Sequence, residues 1–135
     1  MPIDNAGNTI TSARNLGTFG SATQTFSDWV GSTDTADYYK FTLASTSNLR
    51  LTLTGLSGDA DVELLNSRGT RIAASLSSGS NSEAINASNL VAGTYYVRTW
   101  PMSGVSTNYQ LGLTATVVAR ATIGISSTSA NTIKN

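Results

Sequence analysis

The chain holds only eight acidic side chains in 135 residues, and no histidine or cysteine. Two of them, Asp34 and Asp37, stand three apart in "STDTADYYKF", residues 32–41. The residues around them, Ser32, Thr33, Thr35 and Ala36, are small. A loop of that kind can curl until both carboxylates and a backbone carbonyl point at one spot. Hard oxygen donors so arranged suit a hard cation such as calcium, which takes about six to eight of them. Further donors must come from elsewhere in the chain, and the Asp/Asn-rich start "IDNAGNT" offers Asp4, Asn5 and Asn8. The same two aspartates would equally serve as Asx-turns that open a strand. On residue types alone both readings stand.

The other carboxylates carry less. "GDADVEL" places Asp59, Asp61 and Glu63 at the spacing that begins an EF-hand loop. The pattern then fails, because Leu64 stands where that loop needs Gly and Thr70 where it needs Glu. On a strand the three acids share one face, opposite Val62 and Leu64. The expectation is a solvent face paired with Arg50, Arg71 or Arg98 on neighbouring strands. Asp28 and Glu83 stand apart in sequence.

Catalysis is not expected. Without His or Cys the usual nucleophile–base pairs, thiol nucleophiles and most zinc sites are gone. A catalytic serine would need a Lys or a carboxylate, and the lysines are Lys40, on the outward side of its strand, and Lys134, in the tail. No G-x-S-x-G elbow and no phosphate loop occurs. The net charge is zero and no basic patch is visible, which argues against a nucleic-acid or anionic-membrane partner. No apolar run is long enough to cross a bilayer. "MPIDNAGN" has no signal-peptide pattern and reads as an initiator Met set on a domain of a longer protein. Trp29, Tyr96 and Trp100 are candidates for an aromatic binding platform, or simply cover the ends of the fold.

The elements that must position these residues read as strands. Thr, Val, Leu and Tyr alternate with Gly, Ser and Asn, and charged residues are only 12%. "DYYKFTLA" puts Tyr39, Phe41 and Leu43 on one face; "NLRLTLTGL" does the same with Leu49, Leu51 and Leu53. "GTYYVRTW" turns Tyr95, Val97 and Thr99 inward, and "NYQLGLTATV" turns Tyr109, Leu111, Leu113 and Ala115 inward. Weaker runs lie at 24–31, 70–75 and 82–86. About eight such runs joined by short turns predict an all-β antiparallel sandwich, jelly-roll-like. "NTITSARNLG", residues 8–17, has Ile10, Ala13 and Leu16 near helical spacing, with Gly17 as a cap, and reads as a short helix. The domain spans 1–117. Residues 118–135 read as a tail or linker, with "VVARATIGI" apolar enough for a last strand or a partner-facing segment.

Five segments in order resemble the bacterial pre-peptidase C-terminal domain family. They are "DNAGNTITSARNLG", "VGSTDTADYYKFTL", "GDADVELLNSRGTRIAAS", "NSEAINASNLVAGTYYVRTW" and "TNYQLGLTA", covering residues 4–115. The resemblance implies a non-catalytic jelly-roll accessory domain beside other domains of secreted peptidases or surface proteins. The related collagen-binding modules of bacterial collagenases bind calcium between an acidic N-terminal segment and a D-x-x-D-Y loop. That loop stands here as Asp34-Thr35-Ala36-Asp37-Tyr38. The implied ligands are Asp34 and Asp37, then Asp4, then Asn8 and Asn5. The N-terminal segment has fewer acids than those modules, with Thr9 where an acid often follows, so the expected affinity is that of extracellular modules, roughly 10⁻⁴–10⁻³ M. The implied setting is secreted or cell-surface, as a monomer whose partners are the neighbouring domains of a parent protein. The alternative is a metal-independent module for polysaccharide or matrix protein, which an exposed aromatic row would favour.

Overall fold

The structure, a computed structural model, describes residues 4–118. Among them are nine strands and no α-helix. They are β1 (Arg14–Phe19), β2 (Ala22–Val30), β3 (Asp37–Leu43), β4 (Ser47–Thr54), β5 (Ala60–Leu65), β6 (Arg71–Ser75), β7 (Glu83–Leu90), β8 (Gly93–Pro101) and β9 (Thr107–Val117). Two sheets face each other, one ordered β1-β3-β8-β5-β6 and the other β2-β9-β4-β7. The fold is thus the expected all-β sandwich, with one strand more than the sequence suggests. The expected last strand or partner-facing segment lies mostly outside the described residues.

The period-2 pattern explains the core. Tyr39, Phe41, Leu43, Leu49, Leu51, Leu53, Val62, Leu64, Val97, Leu111 and Leu113 are all buried, and they belong to the inward set of their strands. Each such Leu, Val or Phe stabilises the fold by about 1.5–3 kcal/mol relative to an exposed position. Phe41 stacks on Tyr95 and meets Phe19 edge-on, tying β1, β3 and β8 together.

Residues 8–17 do not form the expected helix. Thr9 caps a single 3-10 turn at Ile10–Ser12, and Arg14–Phe19 then becomes a strand parallel to β3. A segment this short is a marginal helix on its own, whereas the free side of β3 offers a full row of backbone partners. Gly17 adopts φ +88 in the irregularity between Asn15 and Thr18, where its N–H donates to Asn15 Oδ1 at 2.9 Å. This parallel pair is the exception to the antiparallel expectation. It is possible because β2 crosses to the other sheet between β1 and β3.

Candidate metal centre

Asp37 is the first residue of β3, on the face that continues as Tyr39, Phe41 and Leu43, so alternation points its carboxylate into the sandwich, where it is fully buried. Asp34 is fixed by a tight turn. Gly31 N–H donates to Asp34 O at 2.8 Å and Asp34 N–H donates back to Gly31 O at 3.0 Å, over Ser32 and Thr33. Gly31 is required there, since a Cβ would stand 2.6 Å from the Trp29 ring and 2.4 Å from Ser106 Oγ. Asp28 lies on β2 between Phe26 and Val30 on the inward face.

The N-terminal segment is laid against these strands. Tyr38 N–H donates to Gly7 O at 2.8 Å. Asn5 and Ala6 N–H both donate to Asp28 Oδ2 at 3.0 Å, while Asp28 Oδ1 accepts from Trp29 N–H at 2.8 Å. Asp4 is thereby brought in, and one carboxylate oxygen each from Asp4, Asp28 and Asp37 lie within 4.8 Å of one another. Asp34 faces both Asp37 and Asp4. One terminal atom of the Asn8 amide stands 2.7 Å from Asp34 Oδ1 and 3.1 Å from the Ala36 carbonyl oxygen. With nitrogen there, the amide donates to both. With oxygen there, three acceptors converge on a point that only a cation would hold.

The electrostatics match. Asp34 Oδ2 and Asp37 Oδ1 are buried with no hydrogen-bond partner. Burial pushes the Asp37 carboxyl up to about 9, against the Tyr109 hydrogen bond and with help from the charges of Asp34 and Asp28. Burial also pushes Asp34 up to about 6, and raises Asp28 against its three backbone hydrogen bonds. No Arg or Lys relieves the cluster, because among the described residues both ion pairs belong to Glu63. At a protein-surface dielectric, two unit charges about 5 Å apart repel by roughly 3 kcal/mol. Beneath the cluster, Tyr109 donates to Asp37 Oδ2 and Tyr39 in turn donates to Tyr109, each at 2.5 Å. Burial raises both phenols, which keeps them donors. An open groove lined by Asn5, Asp28, Trp29 and Tyr109 gives solvent access beside the site.

The donor set fits a hard cation. It offers carboxylates, an amide and a carbonyl, with no nitrogen or sulfur ligand that would select zinc or copper. Of the residues singled out in the sequence, Asp4, Asn8, Asp34 and Asp37 meet at this point. Asn5 enters through its backbone N–H, and its side chain lines the groove. Asp28 was missed because it is isolated in sequence, although the alternation Phe26-Asp28-Val30 marks it as an acid on a core face.

"GDADVEL" is not one solvent face. Glu63 is buried and held by Arg71 Nε at 2.8 Å and Arg98 at 3.1 Å, while Arg50 bonds Asn86 instead. Asp59 and Asp61 gather with Glu83. The aromatics form no single platform. Tyr96 and Trp100 are half-buried on the outer face of β8, with the Arg98 guanidinium 4.5 Å over the Trp100 ring, and Trp29 is on the other sheet.

The fold and site define a β-sandwich module with a buried carboxylate cluster at the entry of its third strand. Residues 35–98 match the family model of the bacterial pre-peptidase C-terminal domain. Among solved structures, it is similar to the pre-peptidase C-terminal domain of a Bacillus anthracis collagenase, at 20% identity and TM-score 0.57, over 74% of this chain and 92% of that one. It is also similar to PliG of Aeromonas hydrophila, a periplasmic inhibitor of g-type lysozyme, at 13% identity and TM-score 0.50, over 76% of this chain and 97% of that one. At these identities the likeness concerns the fold. No curated protein matches the chain.

Proposed function

We propose that this domain is a calcium-clamped, non-catalytic accessory of a secreted or cell-surface protein, which stabilises or positions the domains next to it. The observation that carries the reading is the convergence of Asp4, Asp28, Asp34, Asp37 and Asn8 on one spot, with two buried carboxylate oxygens lacking partners. Calcium would bind Asp34 and Asp37 on the sandwich side, Asp4 and Asn8 on the N-terminal side, and the Ala36 carbonyl. Asp28 contributes charge and holds the backbone of Asn5 and Ala6. The ion would supply positive charge and cross-linking, with no reaction attached to it.

The consequence for function is mechanical. Without the ion the N-terminal strap is drawn toward a cluster of mutually repelling acids. With it, the strap, the β2–β3 loop and β3 become one rigid unit. A preceding domain joined to that strap would then be held at a fixed angle. The neighbouring domains of a parent protein are the proposed partners, and the family's association with peptidases supports an extracellular setting, where calcium is abundant.

Thermal unfolding in calcium and in EGTA tests this. Calcium at about a hundredfold over its Kd adds about 2.7 kcal/mol. For a domain of this size that raises Tm by roughly 10 °C. The rise should vanish in Asp34→Ala/Asp37→Ala. Superimposable curves for the unmodified chain would eliminate the clamp and leave these aspartates as turn formers.

A further inference from the structure

We propose a second calcium site where β5, β6 and β7 meet, built by Asp59, Asp61 and Glu83. It shares no ligand with the first cluster and does not depend on that cluster binding metal.

One carboxylate oxygen from each of the three residues lies within 4.8 Å of the others. The residues are not a solvated patch, because Glu83 is 1% exposed and Asp59 8%. Each carries one buried oxygen with no hydrogen-bond partner: Asp59 Oδ1, Asp61 Oδ1 and Glu83 Oε2. Glu83 shows the division of labour. Its Oε1 accepts from Ser75 Oγ at 2.5 Å and from Ser77 N–H at 2.9 Å, which fixes the side chain and leaves Oε2 free. Asp59 is pinned through its backbone, whose carbonyl accepts from Met102 N–H at 2.9 Å.

Among the described residues no ion pair neutralises the group. The two ion pairs among the described residues both go to Glu63, which takes Arg71 and Arg98. A buried carboxylate oxygen normally finds a donor or a cation, and the three free oxygens Asp59 Oδ1, Asp61 Oδ1 and Glu83 Oε2 have neither. All-carboxylate donors select a hard divalent cation, with water completing the shell. The third ligand comes from β7 in the opposite sheet, so the ion would fasten β5, next to the β6 edge of one sheet, to the β7 edge of the other. This arrangement is unrelated to an EF-hand, whose ligands all come from one loop.

The test is calorimetric titration of the chelator-stripped full chain with calcium chloride. The expected result is an ion retained by Asp34→Asn/Asp37→Asn and weakened at least tenfold by Asp61→Asn or Glu83→Gln. Should Glu83→Gln fold poorly, Asp61→Asn carries the comparison, since Asp61 is only half-buried at the start of its strand. A crystal of the unmodified chain grown in calcium gives an independent reading, with an anomalous peak expected between the three carboxylates. Calcium binding unaffected by both substitutions, or a crystal with no peak there, would overturn the proposal. Loss of the first site alone leaves it standing.

Discussion

Tyr109 donates its hydroxyl proton to Asp37 Oδ2 at 2.5 Å, and in doing so joins β9 of one sheet to β3 of the other. The same phenol accepts from Tyr39, so one buried chain of hydrogen bonds supports the carboxylate that faces the cluster. Tyr109→Phe removes a donor from Asp37 and an acceptor from Tyr39 in one step. Two buried polar groups lose their partner, and such losses run to about 1–3 kcal/mol. Denaturant unfolding in EGTA should show a loss of that order. Calcium affinity should also fall about tenfold, as when other groups that orient metal ligands are removed. Unchanged calcium affinity beside the stability loss would mean that the phenol braces the sheets and does nothing for the ion.

The response to pH should change sign with calcium. Burial raises Asp34 to about 6 and Asp37 to about 9 from an ordinary 3.8. Between those limits the folded, metal-free chain holds more protons than the unfolded chain. Its stability is therefore greatest at low pH and declines as pH rises from about 4 toward 9. Saturating calcium reverses the sign. The ion requires ionised carboxylates, so the loaded protein loses stability as pH falls and protons displace it. Tm measured across pH 4–9, in EGTA and in calcium, should give slopes of opposite sign. Parallel slopes would sink the assignment of these carboxylates to a cation.

Asp28 is the acid whose role the sequence hides, and its substitution separates fastening from charge. Its two oxygens accept three backbone N–H groups, two on Oδ2 and one on Oδ1. In Asp28→Asn, one end of the amide is a donor, so either the Asn5 and Ala6 pair or Trp29 N–H is left facing another donor. The N-terminal strap should loosen, with faster hydrogen exchange at Ala6 and at least tenfold weaker calcium binding. Retained exchange protection together with retained affinity would show that Asp28 neither fastens the strap nor contributes charge to the site.

The limits of legibility follow from how a strand pattern works. Alternation in "DYYKFTLA" or "NLRLTLTGL" reports which side of a strand is buried, and Tyr39, Phe41, Leu49 and Leu51 lie where it puts them. The same period carried two residues back from Tyr39 reaches Asp37, which the structure buries on that face. It is silent on which strands neighbour each other. Asp28 on β2 and Asp37 on β3 sit in different sheets, and Glu83 reaches Asp59 and Asp61 from across the sandwich. Asp28, nine residues before Asp37, and Glu83, more than twenty residues after Asp59 and Asp61, therefore looked isolated. The helix expected at 8–17 failed for the complementary reason. Three apolar residues at helical spacing are a weak local signal, and the open side of β3 is a strong tertiary one.

The strap itself has a sharp test at Gly7. A Cβ there would stand 1.8 Å from the Ser12 carbonyl oxygen and 2.6 Å from its Oγ. The first contact is with backbone, so no rotamer change relieves it. Gly7→Ala must push the strap away from the Ile10–Ser12 turn or off Tyr38, whose N–H it binds at 2.8 Å. Asp4 lies three residues upstream and Asn8 one downstream, so both donors move with it. The three atoms nearest that Cβ all belong to Ser12, outside the strands, so the direct clash is with the strap's own turn. Gly7→Ala should therefore lose most of the calcium-dependent rise in Tm while its Tm in EGTA drops by only a few degrees. A full calcium response in Gly7→Ala would show that the ion is held by the β2–β3 loop alone. In that case the N-terminal segment would be a passenger, and the clamp could not orient a preceding domain.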